Sequence, residues 1–173
     1  MSRSSKNSEK MQYFPQILEE NRFNAFLEIM ECTVGFGYSE NLSKPLILVA
    51  DDEPFILQYI AHVLQLANYR VITVNTVEEA WKIFERRQPA IELVLTDVVM
   101  PGSVDGMELA ERIHQFDPSL PVLFVTGALS ESDPRTALMI EKQLVLRKPF
   151  FPKQLVDFVG AQIQRQSSSG LAR

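Results

Sequence analysis

Short apolar segments alternate with amphipathic segments through most of the chain from Leu46 onwards. The apolar-rich segments are LILVA at 46–50, RVITV at 70–74, IELVL at 91–95, LPVLFVT at 120–126 and LVL at 144–146. Short apolar runs bounded by polar residues, Gly or Pro are typical of strands that are buried on both faces of a sheet. The pattern therefore predicts five strands in this part of the chain.

The segments between these strands carry apolar residues at helical spacing. Pro54 begins the first predicted helix, and Thr76 with Glu79 three residues later indicates a capping box at the second. Asp105 is the candidate N-cap of a third helix, which Pro118 ends. A short fourth helix is predicted at about 134–141, before a fifth. The apolar faces of the first, second, third and fifth helices contain Phe55, Ile56, Tyr59, Val63 and Leu66; Val77, Ala80, Trp81 and Phe84; Leu109, Ala110 and Ile113; and Leu155, Val156, Val159 and Ile163.

This alternation predicts an α/β domain at residues 45–166, in which helices cover both faces of a parallel sheet. Because crossover connections between parallel strands are right-handed, the carboxyl ends of all the strands meet at one edge. Residues 167–173 are predicted to be a flexible tail. Residues 1–44 are predicted to be an N-terminal extension with an amphipathic helix at about 15–34. That helix could pack on the domain, form a homodimer or dock a partner, and the sequence leaves these alternatives open.

Composition narrows the class of protein. The chain has 173 residues, 46% of them hydrophobic, and a net charge of −5. With no long basic stretch, we expect no direct DNA binding. No apolar run approaches the roughly 18 residues of a membrane span, and the polar N-terminus does not resemble a secretory signal. Cys32 is the only cysteine and is interpreted as a packed thiol, so no intramolecular disulfide can form. We therefore expect a cytoplasmic protein without a membrane segment.

Polar and charged side chains follow four of the predicted strands. They are Asp51, Asp52 and Glu53 after the first strand, Asp97 after the third, Thr126 at the end of the fourth and Lys148 after the fifth. Gathered at one edge of the sheet, the carboxylates would repel one another by about 4 kcal/mol per pair at 4 Å and an effective dielectric constant near 20. A divalent cation such as Mg²⁺ and the Lys148 ammonium would offset that repulsion.

This set of groups suits phosphoryl transfer to a carboxylate. Asp97 can act as a nucleophile and form an aspartyl-phosphate. The transfer needs positioning and charge neutralisation more than groups that make bonds, and Mg²⁺ and Lys148 would supply that neutralisation. Thr126 would donate a hydrogen bond to a phosphoryl oxygen. An ordinary capping Asp, or a solvated Lys or Thr, would explain each residue alone but not all of them in this order.

The motifs resemble the receiver domain of bacterial response regulators, which act in two-component signalling. They are DD at 51–52, LTDVVMPG around Asp97, VTG ending at Gly127 and KPF at 148–150. The resemblance covers about Leu46 to Arg165. It implies a flavodoxin-like, three-layer (βα)5 fold with strand order 2-1-3-4-5, here as a single-domain receiver with an N-terminal extension.

The resemblance also implies the roles of the acidic residues. Asp97 would accept phosphate from a phosphohistidine on a sensor histidine kinase or phosphotransfer protein. Asp52, Asp97 and the backbone carbonyl of Val99 would ligate Mg²⁺, and Asp51 would help through water. Val99 and Ala128 are apolar where polar residues of some relatives orient the hydrolytic water, so we expect slow loss of the phosphoryl group.

Three further expectations come from the same resemblance. Thr126 and Lys148 would bind the phosphoryl group. The Lys148–Pro149 peptide bond is a candidate for the cis form. Val145 stands where the family often has Tyr or Phe, so the coupled switch between the threonine and an aromatic residue would be absent or altered.

We expect output by protein–protein contact at the fourth helix, fifth strand and fifth helix, and no enzyme activity. Two alternatives are a receiver fragment of a hybrid histidine kinase and a receiver-like module that binds without phosphorylation. A third is a phosphatase of the haloacid-dehalogenase type, but that class has a second Asp where this chain has Val99. His62 and His114 are alternative phosphohistidines or ligands, although their helical positions favour structural roles.

Overall fold

A computed structural model describes residues 44–87, 90–102, 104–127 and 134–168. The strands are β1 (Leu46–Ala50), β2 (Arg70–Val74), β3 (Ile91–Thr96), β4 (Val122–Thr126) and β5 (Val145–Arg147). The helices are α1 (Pro54–Leu66), α2 (Val77–Arg87), α3 (Gly106–Phe116), α4 (Pro134–Glu141) and α5 (Pro152–Ser168). All strands are parallel, in the order β2-β1-β3-β4-β5, which confirms the predicted α/β, flavodoxin-like fold. The helix predicted at 15–34 and Cys32 lie outside the described residues.

Element boundaries differ from the predicted ones by one or two residues. β4 begins at Val122 rather than Leu120, because its register with β3 starts at the pair Val94 and Val122. Before that pair, the carbonyl of Pro121 accepts a hydrogen bond from the Val94 N–H. Because a proline has no backbone N–H, Pro121 cannot donate a ladder hydrogen bond in turn. β5 is shifted by one residue, and α5 continues to Ser168, beyond the predicted domain end at residue 166.

The sheet divides the interior into two cores. Leu46, Leu48 and Ala50 of β1 belong to one core, together with the apolar residues of α2 and α3. Alternate residues of a strand point to opposite faces, so Ile47 and Val49 face the other side, where α1 packs against α5. Both faces are therefore covered by helices, which is why the strands are apolar throughout.

The N-terminal caps of α2 and α3 are formed by the residues predicted from the sequence. The Thr76 hydroxyl oxygen accepts a bond from the Glu79 N–H at 3.2 Å. At α3 the capping box is complete, since Asp105 Oδ1 accepts from the Glu108 N–H at 2.8 Å and Glu108 Oε2 accepts from the Asp105 N–H at 2.9 Å. This box fixes the start of α3, directly after the loop that follows β3.

The predicted apolar faces of α2 and α3 are buried, but the prediction for α1 is partly wrong. Phe55 is 78% exposed and Leu66 is 46% exposed. The buried face of α1 instead consists of Ile56, Leu57, Ile60, Val63 and Leu64. The prediction failed because apolar residues occur on more than half of the circumference of α1, so their spacing does not fix which stripe faces the sheet.

Trp81 joins α2 to α3 through contacts with both helices. Its ring centroid lies 5.4 Å from that of Phe84 and 5.2 Å from that of Phe116. The Arg112 guanidinium stands 4.0 Å from the Trp81 ring centroid. Aromatic and cation–π contacts of this kind stabilise the packing of the two helices and leave Trp81 only 7% exposed.

Candidate functional site

The ends of β1 and β3 place two carboxylates side by side. Ala50 and Thr96 are partners in the parallel register, so Asp51 and Asp97 emerge together at the carboxyl edge of the sheet. The Asp97 N–H donates to the Ala50 carbonyl at 2.8 Å, and the Asp51 N–H donates to the Val74 carbonyl at 3.2 Å. Both residues are buried. The expectation that distant acids meet at this edge is met for this pair.

Lys148 brings its ammonium group to the same point from the end of β5. Its Nζ donates to Asp51 Oδ2 at 2.6 Å and to Asp97 Oδ2 at 2.7 Å. A longer contact, at 3.3 Å, reaches Glu53 Oε1. The backbone N–H of Lys148 donates to the carbonyl of Thr126 at 2.9 Å, which anchors β5 to the end of β4. The Lys148–Pro149 bond is cis, as the resemblance predicted.

Burial and pairing shift the pKa values of these groups in opposing ways. Burial raises the pKa of Asp51 to about 6, although the hydrogen bond from Lys148 works against that rise. Burial alone would lower the pKa of Lys148, but its bonds to Asp51 and Asp97 outweigh burial and raise it. Lys148 is therefore a permanent cation in this site, whereas Asp51 is a carboxylate held at an energetic cost.

The backbone around Asp97 is fixed by short-range contacts. Asp97 Oδ1 accepts a bond from the Val99 N–H at 3.1 Å, and its carbonyl oxygen accepts one from the Thr96 hydroxyl at 3.0 Å. The Gly106 N–H donates to the Val98 carbonyl at 3.0 Å. A Cβ atom at Gly106 would lie 1.8 Å from the Asp97 carbonyl oxygen, so only glycine fits here.

Sequence reasoning gave Gly106 no role. The signal was weak, because a glycine next to a predicted N-cap residue fits an ordinary turn as well as a close backbone approach. What the sequence could not supply was the atom that Gly106 approaches, since that atom belongs to the backbone of Asp97 nine residues earlier.

Thr126 lies at the end of β4, whereas Val145 lies at the start of β5 and pairs in register with Phe124. Thr126 ends β4, is buried and pairs in register with Arg147, the residue before Lys148. Val145 is half-buried and packs against the core on the α2 and α3 side of the sheet. Ala128, the other apolar departure from the family pattern near Thr126, lies outside the described residues.

The carboxylates that could hold a cation differ in part from the predicted set. Oxygen atoms of Asp51, Glu53 and Asp97 lie within 4.8 Å of one another. Asp52, predicted as a ligand, is half-buried and does not belong to this group, whereas sequence reasoning gave Glu53 no role. Hard carboxylate oxygens fit Mg²⁺, and one Lys148 charge does not balance them, so the residues present are suitable for a divalent cation.

His114 has a structural role in the part of the chain that the structure describes. Its Nε2 is 3.0 Å from the Leu120 carbonyl oxygen, so the ring joins α3 to the segment before β4. Neither His114 nor His62 belongs to the acidic group at the sheet edge. In the same described ranges, no helix has the length and apolar character needed to cross a membrane.

The fold is that of a response regulator receiver domain. The family model for that domain matches residues 47–160, so the chain belongs to the receiver family. A crystal structure of a response regulator receiver domain protein from Clostridium thermocellum has a TM-score of 0.62 and 31% identity, and the match covers 71% of this chain and 97% of that one. The family's members are signalling domains of two-component systems.

Among curated proteins, the chain is similar to response regulator GtcR of Aneurinibacillus migulanus. The two are 33% identical over 119 residues, which is 69% of this chain and 48% of that protein. It is also similar to response regulator receiver protein CpdR of Brucella abortus, with 36% identity over 117 residues, covering 64% of this chain and 90% of that protein. The chain spans about half the length of GtcR and of relatives that are named transcriptional regulators.

Proposed function

We propose that this chain is a phosphoacceptor response regulator, with Asp97 as the residue that takes the phosphoryl group. The donor would be a phosphohistidine on a sensor histidine kinase or phosphotransfer protein. The observation that carries the proposal is the Lys148 ammonium, which bonds to Asp51 at 2.6 Å and to Asp97 at 2.7 Å within one buried cluster. Such a cluster concentrates a nucleophile and a fixed cation where phosphoryl charge would develop.

In the proposed step, an oxygen of Asp97 attacks phosphorus while the nitrogen–phosphorus bond to histidine breaks. The electron pair of that bond returns to the imidazole, so no redox partner is needed. The Val99 N–H and Lys148 hold the two carboxylate oxygens of Asp97 and thereby orient the nucleophile before transfer. Lys148 can then bond to a phosphoryl oxygen, with the Thr126 hydroxyl as a second proposed donor.

Magnesium is part of the proposal. When bound, Mg²⁺ would neutralise phosphoryl oxygens and stabilise the charge of the transition state. Asp51 and Asp97 are the residues we propose to hold it, with Asp52 as the third carboxylate and the carbonyl of Val99 as a backbone ligand. The high pKa of Asp51 supports this assignment, since a buried carboxylate gains from a cation beside it.

We further propose that output is a protein–protein contact at the groove between α4, β5 and α5. Ile140, Val145 and Phe158 supply apolar lining, and Arg147 and Arg165 stand among the lining residues. A downstream protein with an apolar side chain flanked by acidic ones fits this surface. We also propose that this chain does not bind DNA directly, although several relatives are named transcriptional regulators. A mobility-shift assay of the phosphorylated protein on random-sequence duplex DNA tests this, and we expect no shift.

Acceptor identity can be tested by intact mass. The purified chain is incubated with acetyl phosphate and Mg²⁺, and wild type is compared with Asp97→Asn and with Asp117→Asn, the same chemical change outside the acidic group. We expect one added phosphoryl group on wild type and on Asp117→Asn, and none on Asp97→Asn. Equal labelling of the Asp97 variant would place the acceptor elsewhere.

We propose that the protein is cytoplasmic, where ATP-dependent kinases act.

We also propose that the phosphoryl group on Asp97 is long-lived. Val99 is 58% exposed, and its side chain offers only methyl groups, so it cannot orient a hydrolytic water. We expect the phosphorylated protein to persist for many minutes after the donor is removed. A lifetime of seconds, measured by the decay of the added mass, would contradict this expectation.

A further inference from the structure

All three N–H donors of the Lys148 ammonium have a carboxylate partner. An ammonium group has three such donors and no acceptor. They meet Asp51 at 2.6 Å, Asp97 at 2.7 Å and Glu53 at 3.3 Å. The side chains of Asp51 and Asp97 are 1% and 8% exposed, whereas that of Glu53 is 56% exposed. The contact with Glu53 is therefore the longest of the three and the most open to solvent.

The position of the Glu53 side chain is not explained by helix capping. Glu53 is the N-cap residue of α1, but its side chain makes no capping bond. Its backbone N–H donates to Asp51 Oδ1 at 2.9 Å, which fixes where the side chain begins. Its carboxylate lies within 4.8 Å of those of Asp51 and Asp97, where like charge disfavours it. Attraction to Lys148 is the contact that holds it there.

We propose that Glu53 is a positioning residue that competes with the phosphoryl group for Lys148. A phosphoryl oxygen arriving at Asp97 needs a donor from the ammonium. Asp51 is buried and would be left as an unpaired charge, whereas Glu53 can turn into water at little cost. Glu53 thus holds Lys148 in place before the reaction and slows phosphorylation until it is displaced. This inference rests on the proposed function of Asp97.

Two substitutions separate competition for Lys148 from simple charge repulsion. Glu53→Gln keeps the length of the side chain and removes its charge. Glu53→Asp keeps the charge but shortens the chain by about 1.5 Å, beyond bonding reach of Lys148. Aspartate is also a favoured N-cap residue, so its carboxylate would turn to the first backbone N–H groups of α1. Glu78→Gln is the control, since Glu78 is exposed and lies outside the acidic group at the sheet edge.

The experiment measures the rate of phosphorylation by acetyl phosphate at saturating Mg²⁺. An oxygen of Asp97 attacks phosphorus, the bond from phosphorus to the acetyl oxygen breaks, and acetate leaves with the electron pair. We expect both Glu53 variants to react about two- to five-fold faster than wild type, which corresponds to about 0.4–1 kcal/mol, the range of an exposed ion pair. Calorimetric Mg²⁺ affinity and the thermal midpoint, measured for each variant, check that the cation site and the fold are intact.

The outcomes are distinct. A faster rate for Glu53→Gln but not for Glu53→Asp would mean that charge repulsion acts without competition for Lys148 and would overturn the proposal. An equal gain in Glu78→Gln would likewise point to charge alone and overturn it. Slower rates for both Glu53 variants would make Glu53 an assisting group, and unchanged rates would deny it any role. If wild type is not labelled at all, or is labelled equally in Asp97→Asn, the proposed function itself has failed, whatever Glu53 does.

Discussion

Replacing Gly106 by alanine should displace the backbone at Asp97 and slow phosphorylation without changing a charged group. The new Cβ would lie 1.8 Å from the carbonyl oxygen of Asp97, 2.9 Å from its carbonyl carbon and 3.0 Å from the Thr96 hydroxyl oxygen. Real Cβ atoms essentially never approach another atom closer than 3.0 Å, so α3 or the Asp97 backbone must move by more than about 1 Å. The obstacle is backbone, which cannot rotate away as a side-chain tip could.

The size of the effect follows from that displacement. Misplacing a reacting group by about 1 Å can cost on the order of 100-fold in rate. Overpacking of a buried site also lowers the free energy of unfolding by about 1–3 kcal/mol. We therefore expect Gly106→Ala to fold, with a lower midpoint in urea, and to be phosphorylated by acetyl phosphate roughly 100-fold more slowly than wild type.

Gly160→Ala is the matched control for the same methyl group. Its Cβ would meet only the Tyr69 hydroxyl at 3.5 Å, an ordinary contact, and α5 should gain helix propensity. We expect wild-type phosphorylation and unchanged or slightly higher stability for this variant. A Gly106→Ala protein that is labelled at the wild-type rate would refute the claim that this close approach positions Asp97.

Three other predictions address the charges and the cap. Lys148→Met leaves two buried carboxylates without a cationic partner, so the free energy of unfolding measured with urea in EDTA should fall by about 3 kcal/mol. Adding Mg²⁺ should restore part of that loss. Equal stability with and without the cation would contradict this prediction. The pKa of Asp51 is raised from 3.8 to about 6, so the folded protein binds a proton that the unfolded chain releases. Stability without metal should therefore rise by up to about 3 kcal/mol as pH falls from 7 to 4, and Asp51→Asn should flatten that rise. Asp105→Ala breaks the capping box with Glu108 and should cost about 1 kcal/mol, whereas Asp105→Ser should recover most of it in the same denaturation assay.

The sheet and the meeting of distant acids could be predicted because they depend on repeated, local signals. Each strand is a short apolar run, and the parallel arrangement then forces the ends of β1, β3 and β5 to one edge. Asp51, Asp97 and Lys148 directly follow these strands and are therefore brought to the same edge. The capping box at Asp105 is equally local, since its two partners are three residues apart.

The features that could not be predicted from the sequence depend on side-chain direction and on contacts between distant backbone segments. Asp52 and Glu53 are adjacent acids, and only the turn after β1 decides that Glu53 rather than Asp52 faces Lys148. Phe55 points to solvent because α1 packs through a neighbouring stripe. Gly106 matters because of the carbonyl of Asp97, which no periodicity in the chain reveals.

The aromatic stack around Trp81 has a practical consequence for biophysics. It is the only tryptophan in the chain, so intrinsic fluorescence excited at the indole reports one side of the sheet, where α2 meets α3. The side where α1 meets α5 has no such reporter. Comparing loss of this emission with loss of circular dichroism would reveal whether the two halves of the interior melt as one cooperative unit.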